Sequence, residues 1–347
     1  MSTGPDGEQV NVDTLFQQAE AQLTGQPQAA RAFLRAGFAE LKGNPGLALP
    51  DVQPQVLARL CAVALAAGIE PDVVREVIRH HGLTAPDAAA SLYWPWPVRV
   101  HTLGRFAVFC DDEPLTFNGK SPRKALELLQ ALIAHGGREV HTSVLMQSLW
   151  PEESSSNLRN LFDNTLHRLR KLLGSANVLH VANAKLTLDP ALCWVDAWTF
   201  SRLTASCAAA VSDLEGGKPL LDEAEARAAL RLYTGHFLQS ETEEPWSVPY
   251  RDRLRNRFHR LVRALGERLE QTQHWEAAVE VYERGLEIDN LAEVFYQHLM
   301  ACHQHMGEHA EALCVYRRCR ELLSIVLGVA PSPRTEKLRQ ASLAVAP

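Results

Sequence analysis

No apolar run in this chain reaches the roughly 18 residues that a membrane-spanning helix requires. No positively charged, apolar leader opens it either, so the compartment expected is the cytoplasm. The seven cysteines form no Cys-x-x-Cys pair and fall largely in apolar contexts, which points to reduced core residues in place of disulfides or zinc ligands. Cys302-His303-Gln304-His305, with His298 and His309 nearby, carries metal-competent side chains, but a helix and turn present them on different faces, so no metal is expected. Excess positive charge is lacking as well: the net charge is −6. That excludes little, because nucleic-acid binding needs only a local basic face. Catalytic signatures are equally scarce. Gly119-Lys120-Ser121 resembles the end of a phosphate-binding loop, yet Pro114 stands where the upstream glycine is required. No Ser/His/Asp or Cys/His constellation can be assembled, so neither an enzyme activity nor a cofactor is expected.

The stretch from Leu149 to Leu188 carries the strongest positive signal. Within Asn157–Leu173, Leu158, Leu161, Phe162, Leu166, Leu169, Leu172 and Leu173 recur at helical spacing and form one inward stripe. The other face holds Asn160, Asp163, Asn164, His167 and Lys171, flanked by Arg159, Arg168 and Arg170. Amides that read base edges thus lie among cations that meet phosphates. On its own such a face is as consistent with plain solvation, so its neighbours matter. Thr142 can cap a short helix, SVLMQSLW, that Pro151 helps end; Ser154, Ser155 and Ser156 offer N-caps for the next helix. Gly174 fits a C-cap, and His180-Val181 and Lys185-Leu186 read as strands around Ala182-Asn183-Ala184. Helix, turn, helix and β-ribbon in this order suit a winged helix-turn-helix, with a helix for the major groove and a ribbon beside it. Upstream, VRVHTLGRFAVFC and EPLTF read as three short strands, and Ser121-Pro122 reads as a cap and first helical position for RKALELLQALIAHGG.

These segments, with the closing WVDAWTF, resemble the OmpR/PhoB-type winged helix of the AfsR and Streptomyces antibiotic regulatory protein class, over about 98–200. The resemblance implies that the helix from Asn157 to Leu173 enters the major groove and that Ser121, Arg123 and Lys124 lie near the DNA backbone. Further on, AALRLYTGHFL, PWSVPYRDRLRNRF, EAAVEVYERGLEID and EALCVYRRCRELLSIVLGVAPSP resemble the bacterial transcriptional activator domain, built of tetratricopeptide-like helix pairs. An internal repeat agrees with this: Ala278, Val281, Tyr282 and Arg284 recur 34 residues later as Ala312, Val315, Tyr316 and Arg318. Tyr233 is out of phase, so a short, irregular array is expected. The N-terminal helical patterns around Gly68-Ile69-Glu70-Pro71 resemble the region that precedes the winged helix in some large MalT-like regulators.

The fold class expected is mainly α with a small α+β part. Its winged helix has an N-terminal sheet, three helices and a β-hairpin wing, preceded by a small helical region and followed by helical repeats. The boundaries are 1–10 disordered, 11–84 helical, 85–97 a Pro/Trp linker whose tryptophans pack against a domain, 98–195 winged helix and 196–347 activator domain. The DNA-binding residues expected are Arg159, Asn160, Asn164, His167, Arg168, Lys171, Asn183 and Lys185, with Ser121, Arg123 and Lys124 carried over from the resemblance. Arg255, Arg257, Tyr282 and Tyr316 are candidates for partner or effector contacts; the arginine-rich stretch around the first two reads equally as a solvated helix whose stems cover apolar surface. The function expected is a sequence-specific transcriptional regulator, and an activator by resemblance. Its partners would be double-stranded promoter DNA, RNA polymerase, a second copy or an effector, and no membrane. The alternative is a helical-repeat scaffold or ligand-gated signalling protein whose winged helix serves protein contacts.

Overall fold

The computed structural model describes residues 11–116, 122–174, 176–205, 222–241 and 244–345. Helices α1 (Val12–Gln22), α2 (Pro27–Glu40), α3 (Pro54–Ala66) and α4 (Pro71–His80) come first. Three of them start on proline, where the missing N–H costs no helical hydrogen bond. Phe16 and Phe38 join α1 to α2 at a ring distance of 5.0 Å. Gly37 permits that contact, since a Cβ there would lie 2.6 Å from Phe16 Cε1. Trp94 and Trp96 are buried in this same core together with Trp194 from much later in the chain. The segment expected as a linker is thus packed, with a short turn at Ala90–Leu92 whose Ser91 carbonyl accepts the Trp96 indole N–H at 2.9 Å.

Strands β1 (Val98–His101), β2 (Ala107–Cys110) and β3 (Glu113–Pro114) form an antiparallel meander. A fourth strand, β7 (Cys193–Val195), lies parallel to β1 on its other edge. Onto it pack α5 (Arg123–Ala134), α6 (Thr142–Leu149) and α7 (Ser155–Leu172). The start of α5 differs from expectation: Pro122 occupies the cap position and Arg123 the first helical one, while Ser121 lies outside the described residues. At the other end of α5, Gly137 N–H reaches Leu132 O at 2.8 Å and Gly136 N–H reaches Ile133 O at 3.0 Å, both glycines having positive φ. The wing is a three-stranded sheet, β4-β6-β5, from β4 (Val140–His141), β5 (Leu179–Ala182) and β6 (Lys185–Leu188). Ala182 pairs with Lys185 across a two-residue turn in which Asn183 and Ala184 both have positive φ, the turn that matches the twist of a hairpin.

The winged helix is welded to the C-terminal helices. Asp196 opens α8 (Asp196–Leu203), and its buried carboxylate accepts the backbone N–H of Thr102 at 2.7 Å, that of Leu103 at 2.9 Å and the Thr102 hydroxyl at 2.6 Å. The same turn after β1 pairs with the segment just beyond α9 (Glu223–Leu232). Leu103 bridges Phe237, Gly104 N–H donates to His236 O at 3.0 Å, and Leu238 N–H donates to Thr102 O at 2.8 Å. Gly235 lies so close to Gly104 that a Cβ on it would sit 2.8 Å from the Gly104 Cα. One continuous core therefore runs from the sheet through α5 and α7 into the repeats.

The repeats are α10 (Val248–Gln271), α11 (Trp275–Ile288), α12 (Glu293–His305), α13 (His309–Leu322) and α14 (Pro333–Val345), each packed on the next. The repeated residues explain the spacing. Ala278 and Ala312, Val281 and Val315, and Tyr282 and Tyr316 are all buried. The repeated arginines reach back: Arg284 donates to Tyr233 O at 3.3 Å, and Arg318 grips both Glu283 oxygens at 3.0 and 2.9 Å. Tyr233, out of phase in sequence, stacks on Phe258 at 4.4 Å and closes the array against α9.

Asp196→Ala leaves the backbone N–H groups of Thr102, Leu103 and Ala197 without their acceptor, and a loss of about 3 kcal/mol or more is expected in urea denaturation, with Asp196→Asn costing less because one acceptor oxygen remains. Acid sensitivity should come from the repeats. Burial works to raise the carboxyls of Asp289, Glu270 and Glu293, but hydrogen bonds outweigh it: His259 and Arg255 on Asp289, His298 and Tyr282 on Glu270, Thr335 and Ser332 on Glu293. Asp289 is held well below the usual carboxylate range. A depressed folded-state pKa gives stability that is present above the unfolded value and lost as pH falls through the folded one. The urea midpoint should therefore change little between pH 7 and 5 and drop below about pH 4. In Asp289→Asn that acid limb should be shallower; an unchanged limb would show that this carboxylate does not drive it.

Candidate nucleic-acid interface

From Asn157 onward the residues of α7 divide by exposure. Phe162, Leu166, Leu169 and Leu173 are buried beneath it, while Leu158, Leu161 and Leu172 are half-buried at the margins. Asn157, Arg159, Asn160, Asp163, Asn164, His167, Arg168 and Lys171 all face solvent. Helical periodicity dictates this, since one apolar stripe facing α5 and α6 leaves the polar steps of three and four on the far side. Pro151 and Ser154 lie in the turn between α6 and α7, and Ser154 is the N-cap.

Charge on this face is only partly neutralised. Arg159 is shared with Asp163 at 3.5 Å. Asn160, Asn164, His167, Arg168 and Lys171 make no hydrogen bond or ion pair among the described residues. Arg170, grouped with the flanking cations in the sequence, turns inward and donates to Leu179 O at 2.9 Å, which clamps α7 to the wing.

The remaining candidate contacts are differently placed. Lys185 sits on the wing, where Glu139 pairs with it at 3.1 Å, and Asn183 is exposed in the turn itself. Arg123 and Lys124, both exposed on the first turn of α5, share Glu127 at 2.8 Å each, and Lys124 also donates to Leu149 O at 3.2 Å. Such shared cations are partly compensated before any DNA arrives. The wing and α7 thus flank one solvent-facing surface on which the uncompensated positive charge comes from α7.

The four candidates for partner or effector contacts are engaged within the chain. Arg255 and His259 both hold Asp289, at 2.5 and 2.7 Å, and Arg257 donates to Ser201 O at 3.1 Å, bracing α10 against α8. Tyr282 is buried with its hydroxyl on Glu270 at 2.6 Å and its ring stacked on His298 at 4.8 Å. Tyr316 is buried with its hydroxyl on Glu336. The 34-residue period that singled out both tyrosines marks packing positions, and this corrects their assignment to a partner surface. Sequence pattern gave no sign of the Asp289 clamp, because Asp289 is far in sequence from the arginine it pairs.

Known proteins fit this arrangement. Residues 195–343 match the bacterial transcriptional activator domain. The regulatory protein AfsR of Streptomyces coelicolor is 31% identical over 260 residues, which cover 72% of this chain and 24% of AfsR, so the chain spans about a quarter of that relative's length. Among solved structures, Mycobacterium tuberculosis EmbR, in complex with a low-affinity phosphopeptide, superposes with a TM-score of 0.54 at 23% identity, over 72% of this chain and 66% of EmbR. That likeness is one of fold, a winged helix joined to helical repeats. Residues 195–343 thus carry the bacterial transcriptional activator domain, and the likeness to AfsR extends beyond it into the preceding part of the chain.

Proposed function

We propose that this chain is a sequence-specific, DNA-binding transcriptional regulator, and an activator, that docks α7 in the major groove of promoter DNA. The observation that carries this reading is the solvent face of α7, where two amides and unpaired cations stand beside a β-ribbon. In this reading Asn160 and Asn164 contact base edges; Arg159, His167, Arg168 and Lys171 meet phosphates. Asn183 and Lys185 approach the backbone from the wing, and Arg123 and Lys124 from the start of α5, giving up part of their hold on Glu139 and Glu127. No chemical step is involved. The family supports the regulatory role, and the AfsR match reaches beyond the activator domain into the preceding part of the chain. The activator domain, welded to the winged helix, would present a surface to RNA polymerase or to a second copy on an adjacent half-site. Among the described residues no helix is long and apolar enough to cross a membrane. Action on chromosomal DNA would put the chain in the cytoplasm.

Selection of bound fragments from random duplexes, run with the full chain, tests the reading. A reproducible motif is expected, and enrichment no better than competitor would overturn it. Asn160→Ala or Asn164→Ala should cost about 1–3 kcal/mol on the selected site and relax one base position. Lys171→Ala should weaken all duplexes alike and reduce the slope of log K against log salt by about 1. A scaffold that uses the winged helix for protein contacts would be indifferent to all three. Arg255→Ala with Arg257→Ala should leave DNA affinity unchanged while lowering thermal stability, because both side chains are committed to internal contacts.

A further inference from the structure

A cleft of about 420 Å³ opens at the seam between the winged helix and the activator domain. Its apolar side is formed by Phe106 just before β2, Val108 on it, Leu115 just after β3 and Leu126 of α5. The polar side follows from the helical period, since Arg123, Leu126, Glu127 and Gln130 stand at steps of three and four on one face of α5. Glu241 and Glu244, on the segment that leads into α10, complete it. A volume above about 300 Å³, apolar walls and a few polar groups are the makeup of a small-molecule site.

Gln130 gives the cleft its chemistry. From Ala125 onward the buried residues of α5 are apolar except Glu127 and Gln130. The buried Glu127 has its carboxylate held by Arg123 and Lys124 at 2.8 Å each. Gln130 is only 4% exposed, yet among the described residues its side-chain amide makes no hydrogen bond. Neither its amide oxygen nor its nitrogen is sealed off, so the little surface that it keeps lies on the cleft it lines. A buried amide without a partner costs free energy, and one presented to a cleft is satisfied by an occupant that carries a polar group. The acids set the sign of that occupant. Glu127 is already held, whereas the Glu241 and Glu244 side chains form no hydrogen bond or ion pair among the described residues. Both are more exposed than Gln130, so the amide marks the floor of the cleft and the two free carboxylates its mouth. A cation gains there and an anion is repelled.

We propose that this cleft binds a small organic amine carried on an apolar ring system. The ring lies against Phe106, Val108, Leu115 and Leu126, a ring N–H or hydroxyl donates to the Gln130 amide oxygen, and the ammonium group stands beside Glu241 and Glu244. Such an occupant bridges α5 and the start of the activator domain. No residue of α7 lines the cleft, so this effector site is independent of the reading of α7.

Calorimetric titration of the full chain with tryptamine provides the test, because its indole N–H, flat apolar body and ammonium match the three features. Tryptophol and indole-3-propionate keep the ring but replace the ammonium by a hydroxyl or a carboxylate; they are titrated in separate arms at the same ionic strength. One saturable site for tryptamine is expected below about 10 mM, the range that ordinary binding energy per atom gives a molecule of this size. The other two should bind about tenfold more weakly or worse. Glu241→Gln combined with Glu244→Gln should weaken tryptamine about tenfold and leave tryptophol unchanged. Gln130→Leu should weaken both severalfold, and it should melt no lower than the parent because it replaces an unpaired buried amide by an apolar side chain of similar size. Arg123 is left unsubstituted, since it also belongs to the proposed DNA contacts. No saturable heat with tryptamine, equal binding of the three compounds, or full binding in the folded variants overturns the proposal. So does a Gln130→Leu that melts well below the parent, which would give the amide an internal partner. DNA selection with the same variants separates the two readings: amine binding lost with the motif intact concerns this cleft alone, and the reverse concerns α7 alone.

Discussion

The buried carboxylate of Asp196 is the constraint on which the arrangement depends. A winged helix and a helical array can each satisfy their own backbones, but the turn after β1 has N–H groups at Thr102 and Leu103 that no strand pairs. Asp196 takes both, and the chain from Gly235 to Leu238 takes the carbonyl and N–H groups that remain nearby. Removing either leaves buried polar groups unpaired, which costs more than the net value of a hydrogen bond. The two glycines at Gly104 and Gly235 are required because the backbones approach to distances at which a Cβ on Gly235 has no room. The consequence is mechanical: α7 has a fixed orientation relative to the repeats.

Positive charge is distributed with the same economy. The chain is acidic overall at −6, yet α7 keeps Arg168 and Lys171 free of acids while Arg170 leaves the face to hold the wing. Several other cations are consumed locally, on Glu127, Glu139, Asp289 and Glu283. The arginine-rich α10 illustrates the contrast, since its sequence is more basic than that of α7 but Arg255 and Arg257 serve internal contacts, so charge density in sequence is a poor guide to charge available at the surface.

How much of this was legible in the sequence depends on the range of each interaction. The helices, the wing and the two faces of α7 could be read because each depends on residues a few positions apart: Phe162, Leu166 and Leu169 repeat at the helical period, and Asn183-Ala184 sits between two short apolar runs. The repeat period likewise exposed the packing tyrosines, though not their role; periodicity reports that Tyr282 and Tyr316 are equivalent without saying whether they face a partner or a core. The hidden features were long-range ones. Val100 and Val195 pair across nearly a hundred residues, so β7 carried no signal of its own beyond three apolar residues. The tryptophans at 94 and 96 sat among prolines that suggested a linker, and only the tertiary structure shows that Trp194 completes their core.

Strand β7 shows why the three parts act as one body. Its side chains alternate by the geometry of a strand. Trp194 enters the core of the N-terminal helices, and its neighbours Cys193 and Val195 enter the core beneath α5 and α7. Asp196, one residue later, holds the turn that the activator domain clasps. Four consecutive residues therefore belong to three packing environments, and none can shift by even one position without moving the others, because a one-residue slip exchanges the faces of a strand. Displacement of Trp194 would therefore disturb both the sheet that carries the winged helix and the turn that orients the repeats.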